Sequence, residues 1–148
     1  MKYDVCIVGH GDFPDGVESA MQLLVGCQGD ITRFNLNKET THEQFHDDVK
    51  KYLATNSNVI VFADMTGGAP YQITAEIILN SSAKNQYILS SVSMNVVLDI
   101  YLKNSMDQLT PDNIVETFEH VIAESNALTM ITPSETNFEE DKIEEGYI

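Results

Sequence analysis

A chain of 148 residues, 43% of them hydrophobic and 21% charged, has the make-up of one soluble domain with a core of its own. Its formal net charge of -15 argues against nucleic acid or anionic lipid as a partner, since either would repel it. No apolar run is long enough to span a bilayer, and Met1-Lys2 leads straight into an apolar stretch, so neither a signal peptide nor a membrane segment is expected; the two cysteines, Cys6 and Cys27, suit a reducing cytoplasm better than a disulfide framework.

The first element is an apolar run, Tyr3-Asp4-Val5-Cys6-Ile7-Val8, rich in β-branched residues and read as a buried strand. It stops at Gly9-His10-Gly11. A histidine between two glycines at a strand end has little side-chain cover, which presents its imidazole to solvent. The competing reading is a simple turn residue, because histidine tolerates unusual backbone angles. Asp12-Phe13-Pro14-Asp15-Gly16 carries helix-start chemistry. Val17, Ala20, Met21, Leu24 and Val25 then recur at helical spacing, with Gly26 placed to end the helix.

Asp30 to Leu36 alternates imperfectly and reads as a second, less buried strand. Thr40 or Thr41 can cap a helix through about Ala54, with Phe45, Val49, Tyr52 and Leu53 on its inner side. Val59-Ile60-Val61-Phe62-Ala63 is apolar throughout, as expected of a central parallel strand covered on both faces. It runs into Asp64-Met65-Thr66-Gly67-Gly68-Ala69-Pro70, and a helix follows from Tyr71 to about Asn80 with Pro70 in its first turn. Gln86 to Ser91 reads as a fourth strand and Met94 to Lys103 as a helix. Thr110-Pro111 opens another helix with Ile114, Val115, Phe118, Val121 and Ile122 as its stripe, and Ala127 to Ile131 reads as a short apolar strand. From Pro133 onward six acids stand against one base, which reads as an acidic, mobile tail.

Strands alternate with helices, which predicts an α/β fold: a doubly wound, mostly parallel sheet with helices on both faces. In a strand order of 2-1-3-4 the first and third strands are neighbours at the switch point, where ligands collect at the carboxyl ends of strands. His10 and Asp64 would then face each other. A carboxylate beside an imidazole fixes its tautomer, so that one nitrogen keeps its proton and the other presents a lone pair. Gly67-Gly68 lets backbone approach a ligand, and the helix start at Pro70 adds free amide donors that favour an anion such as a phosphoryl group. Taken singly, Asp64 could be a helix cap and Gly67-Gly68 a tight turn. Their joint placement with His10 at adjacent strand ends favours a site.

These residues bear a family resemblance. Val8-Gly9-His10-Gly11, with Pro14-Asp15-Gly16 and a helix ending at Gly26, resembles the opening of the IIA domains of the mannose/fructose/sorbose family of the bacterial sugar phosphotransferase system. Asp64 to Pro70 resembles that family's aspartate-x-x-Gly-Gly-Ser/Ala-Pro segment. The resemblance covers Met1 to about Ile131, giving a IIA domain over 1–132 and a tail over 133–148. It implies a protein-histidine phosphotransferase of the cytoplasm: His10 takes a phosphoryl group from the phosphocarrier HPr and passes it to a IIB component, which serves the membrane components IIC and IID during sugar uptake. It also implies Asp64 as the orienting carboxylate, no cofactor, and a homodimer in which the last strand, here Ala127 to Ile131, pairs across subunits. Thr66, Gly67, Gly68, Ser91 and Ser93 are the groups expected around the phosphoryl. Two departures bear on that set. Ala69 stands where some members carry serine, leaving Thr66 to supply a hydroxyl, and Ser93-Met94-Asn95 stands where members often carry Asn-x-Pro. The alternative within the same fold is a silent regulatory or binding module.

One motif points elsewhere. His42-Glu43-Gln44-Phe45-His46 fits the His-Glu-x-x-His pattern of zinc hydrolases, with both imidazoles on one side of a helix. It begins in a helix's first turn and no third ligand is evident nearby, so an exposed helix edge is the expectation and no metal site is assigned. His120, within an amphipathic helix, is expected at the surface.

Overall fold

A computed structural model describes residues 3–27 and 29–134. Four strands, β1 (Asp4–His10), β2 (Ile31–Leu36), β3 (Asn58–Ala63) and β4 (Asn85–Ser90), form one sheet in the order β2-β1-β3-β4. All three pairings are parallel. The crossovers are made by α1 (Phe13–Val25), α2 (His42–Thr55) and α3 (Ala69–Asn80), and α4 (Met94–Ser105) and α5 (Ile114–Asn126) complete the helices among the described residues. The expected doubly wound sheet and its strand order are what the structure has.

The central strands β1 and β3 are covered on both faces, which is why neither alternates polar with apolar. On one face Val5, Ile7, Ile60 and Phe62 pack with Val17 and Met21 of α1, Val97 and Ile100 of α4, and Ile114 and Phe118 of α5. On the other, Cys6, Val8, Val59, Val61 and Ala63 pack with Phe45, Val49 and Leu53 of α2 and with Tyr71, Ile73 and Ile77 of α3. The residues from Val59 to Ala63 are each no more than 1% exposed. Each large aliphatic buried this way contributes about 1.5–3 kcal/mol before the entropy of ordering it is subtracted. Burial raises the Cys6 thiol well above its ordinary pKa, and both cysteines are free and buried.

The structure settles one choice the sequence left open, the cap of α2, and departs from the sequence reading most at three elements. The first helix starts at Phe13 rather than Val17: Pro14 fits its first turn, and the Gly16 N–H already bonds the Asp12 carbonyl at 2.9 Å. Of the two threonines, Thr41 caps α2, accepting the Gln44 N–H at 3.0 Å. The last helix starts at Ile114 rather than Thr110. Residues 110–113 instead close a turn in which the Thr110 N–H bonds the Asn113 side-chain carbonyl at 2.8 Å, and Val115 points outward. Finally, Ala127 to Ile131 is not a strand in this chain. Leu128, Met130 and Ile131 are exposed, and the segment pairs with no strand of the sheet. A strand needs a hydrogen-bonded neighbour, and within a single chain this segment has none. Most of the expected tail, 135–148, lies outside the described residues.

Candidate functional site

The register of β1 and β3 brings the site together. Val8 pairs with Ala63, so His10 and Asp64 both project just beyond the paired rungs, at the carboxyl edge of the sheet. Gly9 makes the approach possible: a Cβ there would lie 2.8 Å from Cδ1 of Phe13 and 3.3 Å from Cβ and Cγ of Asp64. One carboxylate oxygen, Oδ2 of Asp64, accepts two hydrogen bonds from His10. The backbone N–H donates at 2.8 Å and ring Nδ1 lies at 2.7 Å. The other oxygen, Oδ1, accepts the Met65 N–H at 2.8 Å.

An ionised carboxylate only accepts, so Nδ1 carries the proton and Nε2 keeps the lone pair. The His10 side chain is 47% exposed while that of Asp64 is 12% exposed, so the ring is accessible and its anchor is sheltered. Burial acts to raise the Asp64 pKa, but the bonds from the His10 backbone and ring and from the Met65 N–H outweigh it. The net effect holds this carboxyl below the ordinary aspartate value.

The ring lies against the start of α3. A Cβ on Gly68 would come within 2.9 Å of His10 Cε1, so only glycine lets the imidazole rest on this backbone. Gly67, at φ 85°, turns the chain into the helix, whose N-cap Gly68 offers no side chain to satisfy the first amides. Pro70 has no N–H, so the N–H groups of Ala69 and Tyr71 are the first-turn amides left without an intrahelical partner, candidate donors to an anion at this helix start.

Thr66 and Ser91 are brought together as well. The Thr66 N–H donates to Ser91 Oγ at 2.9 Å, and Thr66 Oγ1 lies 2.7 Å from Ser90 Oγ and 2.9 Å from Ser91 Oγ. Ser90 was missed in the sequence because the fourth strand was drawn through Ser91; the Ser-Ser pair at a strand end was the available signal. Ser93 is elsewhere engaged. It is the N-cap of α4, its Oγ accepts from the Val96 N–H and lies 2.6 Å from Ser125 Oγ, and it makes no bond to the groups around His10. The chain's single arginine, Arg33, is held by Asp15 at 2.8 Å and by Glu18 at 3.4 Å.

His42 and His46 stand at the start and one turn into α2; His42 is exposed and His46 Nδ1 faces Asp47 at 3.3 Å. Among the described residues no three His, Cys, Asp or Glu side chains gather as metal ligands would. His120 is exposed and lies beside Glu124.

Comparison with known proteins gives a family from sequence and a fold from structure. Residues 4–119 match the EIIA-man family model, described as the PTS system fructose IIA component. The PTS system fructose-specific EIIA component of Bacillus subtilis (strain 168) is 24% identical over 100 residues, which cover 65% of this chain and 66% of that protein; the match thus spans just under two thirds of the relative's length. The crystal structure of a phosphotransferase system component EIIA from Streptococcus agalactiae superposes with a TM-score of 0.73 at 21% identity, over 82% of this chain and 93% of that one. The mannose/sorbose specific IIA subunit from Enterococcus faecalis does so with a TM-score of 0.71 at 17% identity, over 90% and 98%. At those identities the two structures speak for the fold.

Proposed function

The chain belongs to the EIIA-man family of sugar phosphotransferase system IIA components, and from that premise we propose that it is a phosphoryl carrier whose His10 takes phosphate from phospho-HPr and hands it to a IIB component. The observation that carries this reading is the 2.7 Å contact between His10 Nδ1 and Asp64, which leaves Nε2 as the free nucleophile on an exposed ring.

The proposed step is a single displacement. The Nε2 lone pair forms a new N–P bond as the donor's N–P bond breaks, and the donor imidazole keeps that electron pair. Nδ1 retains its proton throughout. The phosphorylated ring is then cationic, and the Asp64 carboxylate lies against that charge. Phosphoryl transfer asks for alignment and charge stabilisation rather than covalent help from the protein. The proposed donors to the phosphoryl oxygens are the amides of Gly67 and Gly68 and a hydroxyl hydrogen of Thr66 or Ser91. Ser93 is not carried into this set, because its hydroxyl serves α4 and Ser125. With Arg33 engaged by Asp15 and Glu18, the phosphate meets no arginine fork and is held loosely enough to leave again.

A IIA component of this kind works in the cytoplasm, between HPr and a IIB component and upstream of the membrane components IIC and IID. Consistent with that placement, no helix among the described residues is long and apolar enough to cross a membrane. The exposed segment 127–131 is the proposed place of homodimer contact, as a strand supplied to a second copy. The test of the carrier role is reversal: phosphorylated protein mixed with unphosphorylated HPr should return phosphate to it. A phosphorylated His10 that cannot be discharged to HPr would instead support a silent regulatory module.

A further inference from the structure

The loop that carries Asp64 is fixed from two sides. On one side Asp64 binds His10. On the other, Thr66 is tied to the end of β4 by three contacts, from its N–H to Ser91 Oγ and from its Oγ1 to Ser90 Oγ and Ser91 Oγ, across 24 and 25 residues of sequence. Ser91 makes two of these from a left-handed backbone with φ 56°. A serine held in that region is strained, and such strain persists where surrounding contacts over-determine it, most often beside a functional site. Here the same side chain that bears the strain holds Thr66. Between Thr66 and the ring floor at Gly68 lies only Gly67, itself at φ 85°, a residue with no side chain to anchor the turn. Without the Thr66 anchor, the turn from Asp64 to Gly68 is held only at its two ends, by the bonds of Asp64 to His10 and by the Gly68 carbonyl, which accepts the Gln72 N–H at 2.9 Å, and nothing fixes its middle.

We propose that Ser90, Thr66 and Ser91 form a hydroxyl clamp that positions Asp64, and through it His10, for phosphoryl transfer. This rests on the reading of His10 as the acceptor. Ser90 and Ser91 are positioning residues in this account: they set the 64–68 turn before any phosphate arrives, so their effect exists in the unphosphorylated protein.

Two readouts test it, of which only the second depends on the carrier role. The first is amide hydrogen exchange at Thr66 in unphosphorylated protein, comparing wild type with Ser91→Gly, Ser90→Ala and Thr66→Val. Ser91→Gly is the sharpest variant, because glycine takes φ 56° without strain and, in the unphosphorylated protein, the Ser91 hydroxyl has no phosphate to contact, so exchange reads its hold on Thr66 alone. The second is single-turnover labelling by phospho-HPr. Ser91→Gly and Thr66→Val should raise Thr66 exchange by about tenfold. They should slow transfer by about threefold to tenfold, with the KM for phospho-HPr nearly unmoved. Thr66→Ser should recover most of what Thr66→Val loses. Unchanged exchange in Ser91→Gly would overturn the clamp, leaving these hydroxyls as phosphate contacts at most. A raised KM at unchanged rate would overturn it as well, by making them part of a docking surface. A wild-type protein that takes no phosphate would sink the carrier reading, while the exchange arm would still decide the clamp.

Discussion

Oδ2 of Asp64 holds His10 at two points, accepting the backbone N–H at 2.8 Å and facing ring Nδ1 at 2.7 Å. The backbone bond fixes where the strand ends relative to β3, and the ring bond fixes which way the imidazole faces. One carboxylate therefore couples the register of the sheet to the tautomer of the proposed nucleophile.

Asp64→Asn keeps the shape but removes the charge. Charge-assisted hydrogen bonds contribute about 1.5–3 kcal/mol. Phosphoryl transfer to His10 should accordingly slow by about ten- to a hundredfold. Rapid-quench labelling would measure this, and an unchanged rate would remove Asp64 from the mechanism.

The Asp64 carboxyl also makes a pH prediction. Burial tends to raise its pKa, but the bonds from His10 and from the Met65 N–H prevail and lower it in the folded protein. A depressed folded value means that Asp64 contributes stability above the unfolded aspartate value of about 3.9, and that this contribution is lost as pH falls through the lower folded value. Urea unfolding of wild type and Asp64→Asn should show wild type more stable at pH 7, with the gap closing below about pH 4. A gap independent of pH over that range would contradict it.

Gly68→Ala is a steric test. The backbone at Gly68, φ -75° and ψ 161°, accepts an L-residue, but the new Cβ would lie 2.9 Å from His10 Cε1 and 3.0 Å from Met65 Cγ. The imidazole must move. A displacement of that kind near a reacting atom costs about ten- to a hundredfold in rate. Circular dichroism should show the fold retained while labelling slows; wild-type labelling would mean that the ring is not held by this contact.

Much of this was legible in the sequence, for identifiable reasons. The unbroken apolar runs ending at Val8 and Ala63 announced central parallel strands, and the Gly-His-Gly and Asp-x-x-Gly-Gly-x-Pro ends announced what they carry. Thr110 misled because a threonine before a proline looks like a cap, yet Asn113 turns the chain first and the helix waits for Ile114. Ser90 was hidden because the fourth strand reads naturally through Ser91, which puts Ser90 inside the strand, whereas β4 ends at Ser90 and leaves its hydroxyl beside Thr66. Ser93 looked like its neighbours in sequence, but its hydroxyl serves the first turn of α4. The segment 127–131 has the composition of a strand, and composition cannot supply the neighbour a strand requires.

That segment carries the prediction on assembly. Leu128, Met130 and Ile131 are 60%, 69% and 77% exposed in the single chain. An apolar stretch so placed invites pairing. Light scattering at micromolar concentration should give the mass of a dimer, and a chain ending at Asn126 should give that of a monomer. A monomeric full-length protein would count against the assignment.

The central claim is that His10 carries phosphate. It is tested most directly by incubating the protein with phosphoenolpyruvate, enzyme I and HPr, and locating the label by mass spectrometry and phosphorus NMR. The account predicts one acid-labile, base-stable phosphate on Nε2 of His10, absent from His10→Ala. A wild-type protein that takes no label, or a His10→Ala variant labelled as well as wild type, would contradict it.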